Sequence, residues 1–320
     1  MASVIAPARA VGAAARLPGV NPLVYQPCFA SLYDTTMNPA ILSVDVDDLL
    51  VANSDFFGQP LRPNHQVQIQ RDLSIGLKLL DEVGAKATFF VNTQYCEQEE
   101  DFLSEIHRRG HVLASHGHRH RDVRRLTLLD FEKDLVQSLE QLSRVQPNIL
   151  GFRPPAFSMP YSEQYFRILV KHGIRYVSSG NGVARAQIPN TETPAPVFSD
   201  LTHVPISTMV MVRGRLKYPI GYGVVSRLLP SEVYLRTLRL WLARKSFLHF
   251  YCHSFELAGT QRFESTGFDN RGAALSTWIY MLRCWNRADH FRSVFREAAF
   301  RSIEDAVVLG MASRGGAINS

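Results

Sequence analysis

Two pairs of metal-ligating residue types follow apolar, strand-like stretches of the sequence. The stretch AILSVDV leads into Asp45 and Asp47, which the period-two alternation of a strand places on one face. The stretch HVLAS runs into His116 and His120, and two imidazoles at this spacing can bind one divalent ion. Acids at strand ends also form loops or cap helices, and a His-rich loop can simply be solvated. Because both pairs occur at strand ends of one chain, a metal site is favoured.

Two further strand-like stretches end in residues that suit acid–base chemistry. ILGF is followed by Arg153, and the two prolines after it restrict the backbone and hold the guanidinium in place. FLHFYC ends in His253. A surface arginine and a structural histidine are the ordinary alternatives. Since four strands end in Asp, His, Arg and His, we expect one shared site.

The elements that would position these residues alternate between strands and helices. Helical spacing of apolar residues recurs in five stretches: Gln66–Val83, Phe102–Arg109, Leu128–Leu142 with Thr127 as its cap, Glu163–His172 and Ser231–Lys245. Strands that are followed by helices predict parallel βαβ units. In such folds ligands bind at the carboxyl ends of the strands, where the four polar groups stand.

Composition excludes several classes of protein. The chain has 320 residues, 46% of them hydrophobic, which fits one large domain with a buried core rather than a disordered protein. A formal charge of +6 without a block of like charges does not indicate nucleic-acid binding. No apolar run is long enough to span a bilayer. The four cysteines lack CxxC spacing, so neither a disulfide framework nor a thiolate zinc site is predicted.

The first 36 residues differ from the rest of the sequence. Ala, Arg and Pro dominate them, and Arg9 and Arg16 interrupt the only stretch that could serve as a secretory signal. The composition also resembles an organellar transit peptide, and Met37 would be an alternative start. We expect an extension at 1–36, a barrel domain at 37–305 and a tail at 306–320. A cytoplasmic protein, with access to the inner membrane surface, is the expectation.

Taken together, these motifs resemble the polysaccharide deacetylases of carbohydrate esterase family four (the NodB-homology group). The resemblance rests on SVDVDD, SHGHRH, GFRPPAFS, RYVSS and YCHSFE and covers about residues 39–302. The DVxD opening and the VVSRLLP segment are most similar to the group associated with exosortase and exopolysaccharide loci. The resemblance implies an α/β fold, a distorted (β/α) barrel of about seven βα units in a single domain.

The same resemblance implies how the site works. Asp45 matches the general base, His253 the acid that protonates the leaving amine, and Arg153 the partner that keeps Asp45 anionic. The implied metal ligands are Asp47, His116 and His120. Zinc is the default metal, and cobalt, nickel or iron would also suit these ligands. The implied substrate-binding residues are Pro155, Phe157 and Glu256, with a backbone N–H of the segment 155–157 near the oxyanion.

The sequence departs from the family pattern in ways that bear on activity. Val177 stands where many relatives have an aspartate that orients the acid histidine, and Asp200 or Glu256 would have to take over. Asp47 stands where the group often has Glu, with Asp48 as the fallback ligand. HSFE replaces the usual HPWE after the last strand and would reshape the sugar pocket.

The resemblance implies removal of N-acetyl groups from amino sugars of an exopolysaccharide, an oligosaccharide or a lipid-linked precursor. Two alternatives stay open: hydrolysis of another C–N bond, such as a formyl group or a cyclic amide, and a catalytically silent carbohydrate-binding protein. Residues 224–229 and the helix with Tyr234 and Trp241 could touch a membrane, although core packing is the preferred interpretation. The sequence does not fix the oligomeric state.

Overall fold

The computed structural model describes residues 39–46, 65–95, 100–180, 188, 191, 193–211, 216–244, 247–258 and 288–308. All of them belong to one compact unit, Thr35–Ser320. The predicted extension 1–36 and residues 309–320 of the predicted tail lie outside the described part. Asp47 and Asp48 lie outside it as well.

Eleven strands are present among the described residues. They are β1 (Pro39–Val46), β2 (Thr88–Val91), β3 (Val112–Ser115), β4 (Gly151–Phe152), β5 (Tyr176–Ser179), β6 (Ala195–Phe198), β7 (Leu201–Pro205), β8 (Met209–Met211), β9 (Leu216–Tyr218), β10 (His249–His253) and β11 (Ala299–Arg301). The α-helices are α1 (His65–Val83), α2 (Glu100–Arg108), α3 (Leu128–Leu142), α4 (Glu163–Lys171), α5 (Gly223–Ser226), α6 (Ser231–Leu242), α7 (Ser254–Ala258) and α8 (Ala288–Phe295). The five predicted helices correspond to α1, α2, α3, α4 and α6, with ends that differ by three residues at most.

Seven strands form a curled parallel array in the order β10-β1-β2-β3-β4-β5-β7. β6 pairs antiparallel with β7, β11 pairs parallel with the start of β1, and β8 and β9 form a separate hairpin. This is the predicted α/β class with about seven βα units, and the distorted barrel is confirmed.

The chain beyond β7 brings the two ends of the array together. The N–H of Ser207 donates to the carbonyl of His249, and the N–H of Tyr251 donates to the carbonyl of Gly221, at 3.2 and 2.7 Å. Gly221 fits here because a Cβ at this position would lie 2.2 Å from the carbonyl oxygen of His249. The barrel interior is therefore enclosed along β10 by backbone that is not part of a strand.

Alternation along β1 separates the core from the site. Leu42, Val44 and Val46 are buried in the hydrophobic cluster that contains apolar residues of α1, α6 and α8. Ile41, Ser43 and Asp45 point the other way, into the barrel. Because the helices cover the outer face, the polar side chains of β1 that point into the barrel meet residues in or directly after the other strands.

The helices pack through the apolar stripes expected from their sequences. The Thr127 hydroxyl caps α3 by accepting from the Asp130 N–H at 3.1 Å, and Phe131, Leu135 and Leu142 of the predicted stripe are buried. Tyr234, Leu238, Trp241 and Leu242 of α6 are buried in the main core, which confirms core packing for that helix. No described helix is long and apolar enough to cross a membrane.

Candidate active site

Asp45 and His253 are neighbours at the carboxyl ends of two adjacent strands. The register of β1 and β10 pairs Asp45 directly with His253, and that of β1 and β2 pairs Asp45 with Phe90. Period-two alternation then places Ser43 and Asp45 of β1, and Tyr251 and His253 of β10, in the barrel interior. The sequence prediction that the strand ends converge is correct for this pair.

Arg153 reaches Asp45 from the end of β4. Its Nη1 donates to Oδ1 of Asp45 at 2.5 Å, and its Nη2 donates to the hydroxyls of Ser43 and Ser178 at 2.7 and 2.8 Å. The guanidinium also lies over the rings of Phe90 and Tyr251, 4.0 and 4.8 Å from their centroids. A charge that is completely buried needs such partners, and here hydroxyls, a carboxylate and aromatic faces supply them.

A hydrogen-bonded chain continues from Arg153 to β10. The hydroxyl of Ser43 lies 2.7 Å from Nε2 of His249, whose Nδ1 lies 2.9 Å from the carbonyl oxygen of Pro205. The carbonyl can only accept, so Nδ1 carries the proton and Nε2 accepts from Ser43. Burial, together with the charge of Arg153, lowers the pKa of His249 to about 3, which keeps this imidazole neutral.

The charge state of Asp45 results from two opposing effects. Burial is the largest effect and would raise the pKa of its carboxyl, but Arg153, together with His116 and His253, holds the pKa below its ordinary value. Asp45 is therefore an anion at neutral pH. Its Oδ1 is bonded to Arg153, and its Oδ2 lies 3.7 Å from Nε2 of His116.

His116 and His120 present two neutral imidazoles to the same place. Nδ1 of His116 lies 2.8 Å from the carbonyl oxygen of Arg153, which fixes its proton there and leaves a lone pair on Nε2. The rings of His116 and His120 are 5.4 Å apart between centroids. Burial lowers the pKa of both, to about 3 for His120, so neither is protonated at neutral pH. Neutral imidazole is the form that binds metal ions.

The loop that carries these histidines is supported from α3 and β2. The carboxylate of Asp134 accepts from the backbone N–H groups of His118 and Arg119 at 2.8 and 3.0 Å. Gly117, which directly precedes His118, has φ +81°, and a Cβ at this position would lie 2.8 Å from the carboxylate of Asp134. Next to this turn, the hydroxyl of Thr93 lies 3.1 Å from Nδ1 of His118, which turns this third histidine toward β2.

His253 is held by Glu256 of the following helix. The carboxylate of Glu256 accepts from the backbone N–H of His253 at 2.8 Å and lies 3.1 Å from its Nδ1. Nε2 of His253 lies 2.9 Å from the Tyr251 hydroxyl. The other Glu256 oxygen pairs with the buried Arg227. Burial would raise the pKa of Glu256, but Arg227 and His253 lower it to about 2, so this carboxylate is ionised.

These groups line one cavity at the carboxyl ends of the strands. It has a volume of about 50 Å³, and its lining residues are Asp45, His116, His120, Pro154, Ala156, Phe157, Tyr251 and His253. Ala156 and Phe157 both have positive φ, 51° and 54°, so the turn after β4 bends sharply at the wall of the cavity. The arrangement joins an ionised carboxylate, two neutral imidazoles and a further histidine, which are groups suited to serve as a base, to bind a metal and to carry out acid–base chemistry.

The residues present fit a divalent metal. His116 and His120 are neutral, share a cavity wall and have Asp45 beside them. Within the described ranges no group of three His, Cys, Asp or Glu is arranged to hold a metal, and the predicted third ligand, Asp47, lies outside those ranges. The donor set of two imidazoles plus one further oxygen is typical of catalytic zinc.

Some predicted site residues stand elsewhere. Pro155 is buried next to the cavity, but its neighbours Pro154 and Ala156 form the wall, as does the predicted Phe157. The Glu256 carboxylate is turned to His253 and Arg227 and is absent from the wall, which does not support its predicted substrate-binding role. Substrate contact there would need a side chain directed into the cavity, whereas this one is buried behind His253.

The structure shows where the three positions considered for a carboxylate that orients His253, namely 177, 200 and 256, lie relative to that residue. Val177 is buried in the cluster between the sheet and the helices, so its side chain faces away from the barrel interior. Asp200 is exposed on the surface and bonds to Arg175 at 3.2 Å. Of the carboxylates considered from the sequence, Glu256 is the one that contacts His253.

Four contributing residues were not predicted. Ser43 and Tyr251 lie two positions before Asp45 and His253, and His249 lies four before His253, so alternation along the strands would have placed all three in the interior. Arg227 carries no sequence signal, because it meets Glu256 only through the tertiary packing of α5 beside α7.

The comparisons with known proteins find a family model that matches part of the chain. A family model described as polysaccharide deacetylase matches residues 74–177, about a third of the chain. The matched part contains His116, His120 and Arg153, whereas Asp45 and His253 lie outside it. No curated protein matches the chain.

Similar solved structures cover more of the chain. A candidate polysaccharide deacetylase from Mycobacterium smegmatis is 17% identical, with a TM-score of 0.57 over 88% of this chain and 93% of its own. PuuE allantoinase is 12% identical, with a TM-score of 0.50 over 82% of this chain and 91% of its own. A carbohydrate esterase family 4 pseudoenzyme from Bacillus anthracis is 11% identical, with a TM-score of 0.44 over 84% of this chain and 65% of its own.

At these identities, the first two structures show a shared fold and nothing more specific. Residues 74–177 match the family model of the polysaccharide deacetylases, and the described chain around them shares its fold with the solved structure from Mycobacterium smegmatis.

Proposed function

We propose that the protein is a metal-dependent hydrolase that removes N-acetyl groups from the amino sugars of a glycan. The observation that carries this proposal is the single cavity lined by Asp45, His116, His120 and His253. Amide hydrolysis needs a base for water, charge stabilisation at the carbonyl and an acid for the leaving nitrogen. The cavity offers a candidate for each.

Asp45 is suited to the base role. Arg153 holds one carboxylate oxygen and keeps the group anionic, while the other oxygen lies beside Nε2 of His116. When bound by Asp47, His116 and His120, a divalent metal would acidify water and polarise the carbonyl. Asp45 would then take the proton from that water without needing to move, because its position is fixed by a completely buried arginine.

His253 is suited to the acid role. It stands beside Asp45 on the neighbouring strand, and its Nε2 is on the side of the Tyr251 hydroxyl that lines the cavity. Protonation of the leaving nitrogen lets an amine depart in place of an unstable amide anion. The ionised Glu256 on the far side of the ring favours the imidazolium that this step needs.

The turn after β4 supplies a donor for the developing oxyanion. Pro155 has no N–H, and the N–H of Phe157 donates to the carbonyl of Pro154 at 3.0 Å. Ala156 lines the cavity, and its N–H is the group of this turn that we assign to the oxyanion. Within the segment 155–157 predicted to bind the oxyanion, Ala156 is therefore the proposed donor.

The glycan itself is inferred from the motifs. The resemblance of SVDVDD and VVSRLLP to the exosortase-associated group supports an exopolysaccharide, an oligosaccharide or a lipid-linked precursor as substrate. The rings of Phe157 and Tyr251 line the cavity and offer apolar faces to a sugar. Zinc is the proposed metal, and cobalt, nickel and iron are the substitutes to test.

A second candidate is hydrolysis of a different amide. It is favoured by the fold shared with an allantoinase, since the same arrangement of base, metal ligands and acid would serve any C–N bond that fits the cavity. A formylated sugar and a cyclic amide are the substrates that represent this candidate.

The test is acetate release from N-acetylglucosamine oligomers by protein stripped with chelator and then given Zn²⁺ or Co²⁺. Release that requires both the metal and Asp45, with Asp45→Asn as control, would support the deacetylase. Formate or ring-opened product in preference to acetate would favour the second candidate. Sugar binding without any product at saturating metal would overturn both and leave a silent carbohydrate-binding protein.

A further inference from the structure

Glu256 contacts both the backbone and the side chain of His253. It is the third residue of α7, and its Oε2 accepts from the backbone N–H of His253, the residue that precedes the helix. This geometry alone is that of a helix cap, in which a Glu reaches back to the first N–H. The same oxygen, however, also lies 3.1 Å from the His253 ring nitrogen Nδ1.

A cap at the protein surface does not require a buried counter-charge, yet Glu256 has one. Arg227, which follows α5, donates from Nη2 to the second oxygen of Glu256, and both side chains are at most 2% exposed. The Arg227 guanidinium lies 5.6 Å from the ring centroid of Phe291, and its Nε donates to the Gly223 carbonyl at 3.3 Å. Because burial of a lone charge is costly, Arg227 compensates the charge that Glu256 carries beside His253.

The orientation of His253 follows from this pair. An ionised carboxylate can only accept, so Nδ1 of His253 keeps a proton toward Glu256. Nε2 is thereby directed to the Tyr251 hydroxyl and the cavity, at 2.9 Å from that hydroxyl. A proton taken up at Nε2 then gives an imidazolium that faces a carboxylate on its other side.

The geometry points to Glu256 and Arg227 as a pair of positioning residues that hold His253 with Nε2 toward the cavity and stabilise its protonated form. This rests on the proposed function, because His253 is its acid. Glu256 supplies, from the helix directly after β10, the carboxylate that position 177 does not, since the Val177 side chain faces the outer core. Arg227 contributes by keeping Glu256 ionised inside the protein.

The experiment compares the metal-loaded wild type with Glu256→Gln and with Glu256→Gln/Arg227→Met. Gln keeps the capping hydrogen bond and removes the charge, and the double variant also removes the arginine that Gln would leave unpaired. Asp200→Asn is the matched control, because it removes a surface carboxylate that does not contact His253. Melting temperature and metal content are recorded for each protein.

We expect kcat on the N-acetylated oligomer to fall roughly 10- to 100-fold in both Glu256 variants with KM nearly unchanged, a part of what a general acid contributes. An activated aryl acetate, whose leaving group needs no proton, should lose less than about threefold. Equal losses on amide and ester in a folded, metal-loaded protein would mean a structural cap only and would overturn the inference.

A second readout does not depend on turnover. In metal-free protein labelled with ¹⁵N-histidine, His253 is identified by the signal missing from His253→Gln. We expect Nδ1 to carry a proton on both sides of the titration, and the midpoint to fall by about one pH unit or more in both variants. An unchanged midpoint would overturn the pairing even if no substrate were hydrolysed, whereas a shifted midpoint in an inactive wild type would count against the proposed function alone.

Discussion

Nη1 of Arg153 donates a 2.5 Å hydrogen bond to Oδ1 of Asp45, and the two side chains are buried together inside the barrel. The residues are far apart in the sequence and meet because β1 and β4 both end at the same rim of the curled sheet. The pair fixes the position of the proposed base and its charge at once. It is therefore the relationship on which both activity and stability should depend.

Removing Arg153 should destabilise the fold strongly. Arg153→Met leaves the Asp45 carboxylate buried without its counter-charge, which costs roughly 3–5 kcal/mol in comparable pairs. Replacing both members, in Asp45→Asn/Arg153→Met, should recover a large part of that loss because no charge is left unpaired. Urea denaturation of the two single variants and the double variant measures this. Losses that simply add would show that the two side chains do not interact energetically.

Substitution of the proposed base and substitution of a proposed metal ligand should have different effects on turnover and zinc binding. Asp45→Asn should abolish turnover while zinc remains bound, because the carboxylate pairs with Arg153 and is not one of the three proposed ligands. His116→Ala should weaken zinc binding by roughly 100-fold or more, since it removes one of those ligands. Metal content after equilibrium dialysis distinguishes the two. A metal-free Asp45→Asn protein would reverse the assignment.

Much of this site could be predicted because parallel strands end at one edge. The strand ends with Asp45, His116, Arg153 and His253 could be found from apolar runs and the polar residues after them. The structure brings Asp45, His116 and His253 to one cavity and places Arg153 against Asp45. The alternation that places Asp45 inside also places Ser43 there. The structure shows the same alternation along β5, with Ser178 against Arg153 and Val177 on the outer face.

The remainder depends on how distant segments pack. Arg227 reaches Glu256 because α5 lies beside β10, a contact for which neither residue type nor spacing gives a sign. The role of Glu256 could not be read from its position after His253, because a Glu there serves equally as substrate contact or helix cap. Strands β6 to β9 were not predicted because no described helix separates them, so they depart from the strand–helix alternation, and β11 has only three residues.

The turn at Gly117 should control the metal site from a distance. Gly117→Ala would place a Cβ 2.8 Å from the Asp134 carboxylate that anchors the loop, and would add the strain of positive φ. We expect zinc affinity to fall about 10- to 100-fold, because His116 and His120 flank this turn. Gly173→Ala is the matched control, since Gly173 has φ +84° with nothing within 4 Å of its Cβ position. It should lose about 1 kcal/mol of stability and no zinc affinity.

If Gly117→Ala bound zinc as tightly as Gly173→Ala, the Asp134 contact would not position the histidines. Isothermal titration of the metal-free proteins with zinc gives both affinities directly. Calorimetry also separates weaker binding from a smaller fraction of competent protein, because the second changes the stoichiometry and leaves the affinity unchanged.

Glu304 should make stability depend on pH from the opposite end of the barrel. Its carboxyl accepts from the hydroxyl of Thr88 at 2.7 Å and from that of Tyr176, at the first residues of β2 and β5. Burial raises the pKa of Glu304 from the ordinary value of 4.5 to about 7. The folded protein therefore holds this proton more tightly than the unfolded chain does.

The sign follows from linkage. The contribution of Glu304 to folding is present in full below pH 4.5 and is lost as the pH rises through 7, by roughly 3 kcal/mol. Buried histidines such as His111 and His249, whose pKa values are lowered to about 3, act in the reverse direction, so the wild-type curve alone is a mixture. Glu304→Gln removes only the Glu304 component. We expect the free energy of unfolding of Glu304→Gln minus that of the wild type to increase between pH 5 and pH 8.

The measurement is urea denaturation of both proteins at half-unit steps from pH 5 to pH 8. Glu163→Gln is the control, because its carboxylate is exposed and pairs with Arg167 on the surface of α4. Its difference from the wild type should stay flat over this range. A flat difference for Glu304→Gln as well would mean that Glu304 is ionised in the folded protein throughout, and that the hydroxyls of Thr88 and Tyr176 compensate its burial fully.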